Sequence, residues 1–413
     1  MKIITLILAF IISVYSHSQE ITRVFSDTTN QGHEIEITSF NYYASNSFNN
    51  ELTDKFIKGG EITQSIKDFN QSKLGKLNSF GGEIEQRILY FNYDITPLKN
   101  RPNLGLVFSL EDVNYISTNI SSDLFNTIFY GNQNYLGDTM DFSFSHAQYI
   151  HYQKIGFGLL HKKYKSYLKV DFLLGNRLEN YRLGDTWMYS SSASDSIKFN
   201  LNAEGYSSDT IKSYFDSKGY GFSFDFEHNF IYVDKKKRSQ VINIKLSNFG
   251  VIFWDKNTRF TYVDSANVFS GFEITDLLSR DSSSAPLYST DTLGFFNGLR
   301  QHAEVLPFEI SIQKLANRYS SQKLQFIFGL KALISSDYRP YGFFGAYYSP
   351  ISSLGLSTRL AYGGFGGLKL GLSANYFIKN KFQVHLGTYD LIGFILPKYG
   401  FGKSLNISMN IKF

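Results

Sequence analysis

The chain has 413 residues, of which 19% are charged and 17% aromatic, with 39 Phe and 29 Tyr, and its mean hydropathy is −0.20. No stretch approaches the run of about 18 apolar residues that a membrane helix needs, so helical spanning is excluded. The lack of cysteine removes disulfides, thiolate metal sites and a lipidated N-terminal cysteine, and a net charge of +5 without a dense basic face leaves no footprint for nucleic acid. Excess Tyr and Phe at moderate hydropathy fits a membrane β-barrel, whose wall shows lipid only every second residue. Composition fits a large soluble β-sandwich equally well.

In chain order, residues 1–18 read as a secretory signal peptide. Lys2 supplies the positive start, Ile3 to Val14 an apolar stretch too short to span, and Ser16-His17-Ser18 small residues at the cleavage positions before Gln19. Export to the cell outer membrane is therefore expected. Residues 19–76 form an N-terminal segment, read as a plug, a first strand with a loop, or both, and residues 77–413 the barrel proper. At the other end, Leu405, Ile407, Met409, Ile411 and Phe413 alternate with Ser404, Asn406, Ser408, Asn410 and Lys412. This two-residue period stops on a terminal aromatic. It resembles the C-terminal signal by which outer-membrane barrels engage their insertion machinery.

Counting back from Phe413, strands are expected near 404–413, 381–390, 367–378, 353–362, 341–348, 323–334, 303–314, 240–254, 219–232, 166–176, 142–160, 103–114 and 79–94, with one more near His33–Tyr43. That makes an antiparallel up-and-down transmembrane β-barrel of about 14 strands, all-β in class. The connections sort by parity. The short ones are Lys379-Asn380, Ser349–Ser352, Leu315–Gln322, Val233–Ser239, His161–Lys165 and Thr96–Pro102. The long ones, 115–141, 177–218, 255–302 and 391–403, all fall at the other end. Short turns belong to the periplasm and long loops to the exterior. Gly363-Gly364-Phe365-Gly366 reads as a tight outer hairpin, and all seven prolines except Pro307 lie in expected connections.

Alternation assigns faces. Leu168, Val170, Phe172 and Leu174 point to lipid, as do Phe222, Phe224 and Phe226, and Leu368, Leu370, Leu372 and Tyr376. Lys169, Asp171, Asp225, Glu227, Lys245, Glu309, Lys331, Arg359 and Lys369 point to the lumen. Their mixed sign is not the one-signed ring of an ion filter. The pairs Phe343-Phe344, Tyr347-Tyr348 and Phe295-Phe296 read as girdle or loop residues, and Lys235-Lys236-Lys237-Arg238 as a solvated turn.

Two stretches carry a family resemblance. Phe142–Gly175, FSFSHAQYIHYQKIGFGLLHKKYKSYLKVDFLLG, is a long strand, a basic turn and a second strand. Val241–Trp254, VINIKLSNFGVIFW, closes on an Asn-Phe-Gly-x-Ile-x-Trp box. Both are similar to outer-membrane barrels related to the long-chain fatty-acid transporter family and to the PorV barrel of the type 9 secretion system, and most of all to a family of Bacteroidota barrels. The resemblance implies a lumen plugged by the N-terminal segment and a channel or transporter for small, hydrophobic solutes. Its PorV side implies instead a barrel that docks a secretion or surface partner. The plug's Asn-Pro-Ala element is missing here, since no proline precedes Pro97.

No catalytic, cofactor or metal constellation stands out. The histidines lack HExxH spacing, Ser145 and His146 face opposite ways, and there is no GxSxG elbow or phosphate-binding glycine motif. The chain is therefore expected not to be an enzyme and to need no cofactor. Its expected partners are outer-membrane lipid, the barrel-insertion machinery, and a small apolar ligand or a secretion partner. Asp-Ser/Thr followed by an apolar residue or Thr resembles the Bacteroidota O-glycosylation acceptor and marks Thr28, Thr139, Ser196, Thr210, Ser265 and Thr292 as candidates.

Overall fold

The computed structural model describes residues 24–25, 32–209, 213, 216–269, 294–334, 337–379 and 381–413. The expected signal peptide, the cleavage point, Thr28, Thr210, Thr292, Pro286 and Asn380 lie outside the described residues. The chain forms a closed antiparallel barrel of 14 strands. These are β1 (His33–Ser45), β2 (Leu77–Asn92), β3 (Leu104–Ser121), β4 (His146–His161), β5 (Ser166–Leu183), β6 (Gly219–Val233), β7 (Ser239–Trp254), β8 (Phe308–Asn317), β9 (Leu324–Ile334), β10 (Arg339–Ile351), β11 (Leu354–Gly364), β12 (Leu368–Ile378), β13 (Phe382–Thr388) and β14 (Gly402–Lys412). Each pairs with the next. β14 closes on β1 from Lys412↔Glu34 to Ala44↔Gly402, and the main chains of His33 and Phe413 exchange two hydrogen bonds of 2.9 and 3.0 Å. Closure leaves no open edge, as a bilayer requires of any spanning sheet.

The fourteen expected strands and the parity of their connections match this wall. One rim carries the short turns and Phe413; the other carries the long loops. β3 and β5 run further toward the loop rim than the alternation indicated, to Ser121 and Leu183. Beyond the bilayer both faces of a strand meet polar surroundings, so the apolar/polar contrast that marks a strand fades while pairing continues. Pro307 falls in a break between a short strand, His302–Val305, and β8, which removes the conflict with a proline inside a ladder. Pro340 and Pro350, expected in connections, lie within β10, but at its two register shifts, where ladder bonds are missing anyway.

The two faces separate as alternation requires. Leu168, Val170 and Phe172 on β5 and Phe222, Phe224 and Phe226 on β6 are exposed, and the polar residues between them are buried. These exposed residues make the apolar exterior of a bilayer-spanning wall. The aromatic pairs divide: Phe344 and Tyr348 face outward, whereas Tyr347 is buried and Phe343 packs against the interior.

The loop rim carries the rest of the ordered structure. Helix α1 (Asn50–Lys58) begins where the Asn49 side chain accepts from the Leu52 amide, and helix α3 (Ser122–Tyr130) where Ser121 accepts from the Leu124 amide. With helix α2 (Gln64–Gln71) they bury Phe48, Leu52, Ile66 and Phe125 against one another. Asn50 Nδ2 ties α1 to the β13–β14 connection through Gly393 O (3.1 Å) and Gly402 O (2.8 Å). A second loop-rim layer is antiparallel sheet: Thr139–Asp141, Trp187–Ser190, Ile197–Ser207, Arg259–Phe269 and Phe296–Leu299 pair in that order.

Candidate functional site

The site is the barrel interior, which is built in layers. At the short-turn mouth the strand Val24–Phe25 pairs in parallel with Ala316 and Asn317. Its valine packs on Ile327, Tyr347 and Phe377, and its phenylalanine on Val241 and Leu315. These are inward-facing residues of β7, β8, β9, β10 and β12, so the N-terminal strand sits inside the mouth. The segment 19–76 is thus shared out: Val24–Phe25 within the barrel, β1 in its wall, and α1 and α2 at the loop rim.

At mid-height lies a buried network of charge. Lys154 Nζ reaches Asp225 at 2.8 Å and Glu111 at 3.3 Å, and Lys169 Nζ reaches Glu111 and Asp171 at 2.6 Å and Asp225 at 2.7 Å. Two ammonium groups and three carboxylates from β3, β4, β5 and β6 balance to one negative charge. Gly156 makes room for it, since a Cβ there would stand 2.2 Å from the Asp171 carboxylate. The three carboxylates approach one another within 4.8 Å, close enough to share a cation. Lys154 and Lys169 already supply that charge, so the set does not fit a metal ion.

Lys169, Asp171 and Asp225, which alternation placed in the lumen, come together here. Two members were missed. Glu111 shares the inward phase of Val107 and Ser109, opposite the exposed Phe108 and Leu110, and alternation would have found it. Lys154 shares the inward phase of Gly156, Gly158 and Leu160, opposite the exposed Ile155, Phe157 and Leu159, and alternation would have found it too; the register shift beside it puts the extra residue, Asn176, on β5. A second cluster joins Glu309 to Lys331 at 2.9 Å and Lys245 at 3.5 Å. Glu227 accepts from Asn243 at 3.0 Å. Arg359 and Lys369 sit among aromatic rings. The guanidinium lies 3.1 Å from the centre of the Tyr389 ring, and Lys369 Nζ donates to Tyr42 OH at 3.1 Å.

Toward the loop rim aromatic and aliphatic side chains fill the lumen in two clusters, the first with Lys331, Arg359 and Lys369 against its tyrosine rings. Tyr42, Tyr115, Leu333, Tyr338, Tyr341, Ala361 and Phe365 form one buried cluster. Val113, Ile150, Tyr152, Leu173, Leu178, Ile252, Trp254 and Leu306 form another. Beside them, at the loop rim, opens a recess of about 580 Å³. Its lining includes Ser117, His146, Gln148, Asn180, Arg182, Glu204, Tyr206, His302, Glu304 and Asp337. Glu304 accepts from Gln148 (2.9 Å), Asn180 (3.1 Å) and His302 (2.8 Å). Asp337, in the β9–β10 connection, accepts from Ser117 at 2.8 Å and bonds His146 Nε2. Burial would raise the Asp337 carboxyl, but the bond and charge of His146 hold it below its ordinary value. None of these recess residues was singled out from the sequence as a site. They come from connections and strand ends far apart in the chain, and only closure of the barrel brings them together.

At the seam, Leu405, Ile407, Met409 and Ile411 take the outer face of β14 while Ser404, Asn406 and Asn410 are buried, and Phe413 is exposed at the short-turn rim. Thr139, Ser196 and Ser265 all lie in the loop-rim layer; Thr139 is exposed, Ser196 and Ser265 half-buried.

No family model matches the chain, and no curated protein does. Some solved structures align along most of its length at low similarity. The TodX deltaS2S3 mutant, a monoaromatic hydrocarbon channel, superposes with a TM-score of 0.43 at 8% identity, covering 93% of this chain and 91% of that one. The P. putida toluene transporter TodX gives 0.39 at 6% identity, covering 95% and 96%. The translocator domain of the autotransporter NalP from Neisseria meningitidis gives 0.29 at 9% identity, covering 94% and 90%.

Proposed function

We propose that the protein is a plugged outer-membrane channel for small solutes, hydrophobic ones among them, with its short turns in the periplasm and its long loops outside. The observation that carries this reading is the aromatic and aliphatic cluster around Trp254, which packs against the loop-rim recess through Tyr206. A polar recess collects a solute from water. An apolar cluster against it receives an uncharged or aromatic molecule at far lower cost than a bare ion. Val24–Phe25 is the plug at the far mouth, held by packing and a short parallel pairing that a few residues of chain could release. The docking reading has weaker support, because the exposed apolar side chains of the described residues belong largely to the lipid belt.

Trp254 reports on this path. It is one of two tryptophans in the chain, is buried in the apolar cluster, and packs beside Tyr206 of the recess. In a Trp187→Phe variant, a small non-fluorescent aromatic solute should shift or quench the Trp254 emission with saturation, and a sugar of the same size should not. Emission indifferent to both would count against the reading.

A further inference from the structure

We infer that the two shortest loop-rim hairpins form a closing device: Phe365 is a stopper seated in a glycine socket, and Asp337 is the latch that holds the neighbouring hairpin over it. The inference concerns how the proposed channel is shut, and rests on that reading only for its consequence in transport.

Short hairpins at a barrel rim ordinarily project along the strand direction into water, and an aromatic tip would then be exposed. Here Phe365 of one hairpin, and Asp337 and Tyr338 of the other, turn into the lumen. In the β11–β12 hairpin, Gly363 and Gly364 take positive φ of 107° and 72°, a conformation that side chains disfavour, and the chain turns inward. Phe365 is 2% exposed and lies against Tyr42 of β1 and Tyr115 of β3, both 6.4 Å away between ring centres. Its ring occupies the space that a side chain on Gly81 of β2 would need: a Cβ there would stand 2.4 Å from the ring carbons. Gly81 is an inward position, in phase with Ser79 and Glu83, so a wall residue has given up its side chain where the ring rests.

The β9–β10 hairpin covers the stopper. Tyr338 meets Phe365 edge-on at 5.3 Å and 88°. The adjoining Asp337 crosses the lumen to Ser117 on β3 and His146 on β4, 220 and 191 residues away in the chain. Opening the mouth requires these contacts to part and the ring to leave Gly81. Asp337, Tyr338 and Phe365 lie outside the paired strands, so they can part while the strands stay joined.

The chain has no cysteine, so a single Ala361→Cys substitution gives a clean reporter. Ala361 is buried against Phe365, in the interior beneath the tip. The protein in lipid vesicles is treated with a membrane-impermeant maleimide from the loop side. Labelling should be slow with the stopper in place and at least about tenfold faster with either Phe365→Ala or Gly81→Leu. The first removes the ring and the second removes its seat. Retained heat-modifiable migration confirms that each variant keeps its barrel. Acceleration in either folded variant supports the device. Equal rates in all three proteins, or fast labelling before any change to the stopper, overturn it. Because labelling does not depend on conduction, a faster rate with no solute passage would leave the closing device standing and bring down the channel reading. Passage with an unchanged rate would do the reverse.

Discussion

Replacing Lys154 by Met is expected to destabilise the folded barrel by about 3–5 kcal/mol, the cost of removing one partner from a buried ion pair. Lys154 is fully buried, at 2.8 Å from Asp225 and 3.3 Å from Glu111. Without it, three carboxylates share the single cation of Lys169, and the excess negative charge rises from one to two among buried side chains. Methionine matches the length of the stem, so loss of packing contributes little. The double variant Lys154→Met with Asp225→Asn restores the original excess and should recover most of the loss. Urea titration of refolding into vesicles measures both. A single variant within about 1 kcal/mol of the parent would mean that water reaches these charges.

The second large effect belongs to the outer face. Val170 lies opposite Phe157 on one neighbouring strand and Phe224 on the other, within the exposed apolar band. Val170→Arg should cost about 2–4 kcal/mol, as a charge on the lipid face near mid-bilayer does. Leu368→Arg, at the first residue of β12 near the loop rim, should cost about 0–1 kcal/mol. The ratio carries the information, because arginine stabilises neither site by itself. Equal and small costs would contradict a wall bathed in lipid at Val170.

Much of this wall was legible because spanning a bilayer leaves few choices. Every backbone group must pair within a closed sheet, and every second side chain must be apolar. That double demand writes a two-residue period into β6 and β12 strongly enough to assign each face. It also set the mid-height positions of Lys169, Asp171 and Asp225. On β4 the period is intact and puts Lys154 inward, but its inner face also carries Ile150, Tyr152, Gly156 and Gly158, so it lacks the polar/apolar contrast that marks a lumen face. The period was silent where the demand stops. Helices α1 to α3 sit beyond the bilayer, where no lipid enforces a pattern, although the Asn49 cap and the apolar spacing of Leu52 and Phe56 carry a helical signal. Pro307 looked misplaced only because the short strand His302–Val305 and β8 were read as one.

The interior resisted for a different reason. Phe365 belongs to a Gly-Gly-Phe-Gly run that reads correctly as a hairpin, but a local turn does not say whether its tip points to water or across a lumen. That depends on Gly81, far away in the chain. The recess depends likewise on Ser117, His146, His302 and Asp337, whose meeting follows from the curvature of the whole sheet and not from any spacing along it.

Planar-bilayer conductance of the refolded protein tests the central claim, that this is a channel closed by removable barriers. Deleting residues 19–76 would also remove β1 from the wall, so the deletion ends at Gln31 and takes only the segment that carries Val24–Phe25. The parent should be silent. The variant that combines this deletion with Phe365→Ala, lacking a barrier at each mouth, should show discrete conductance steps that persist at constant voltage. Silence from that variant, in protein shown to be a folded barrel, would contradict the account and mean that the lumen is permanently filled.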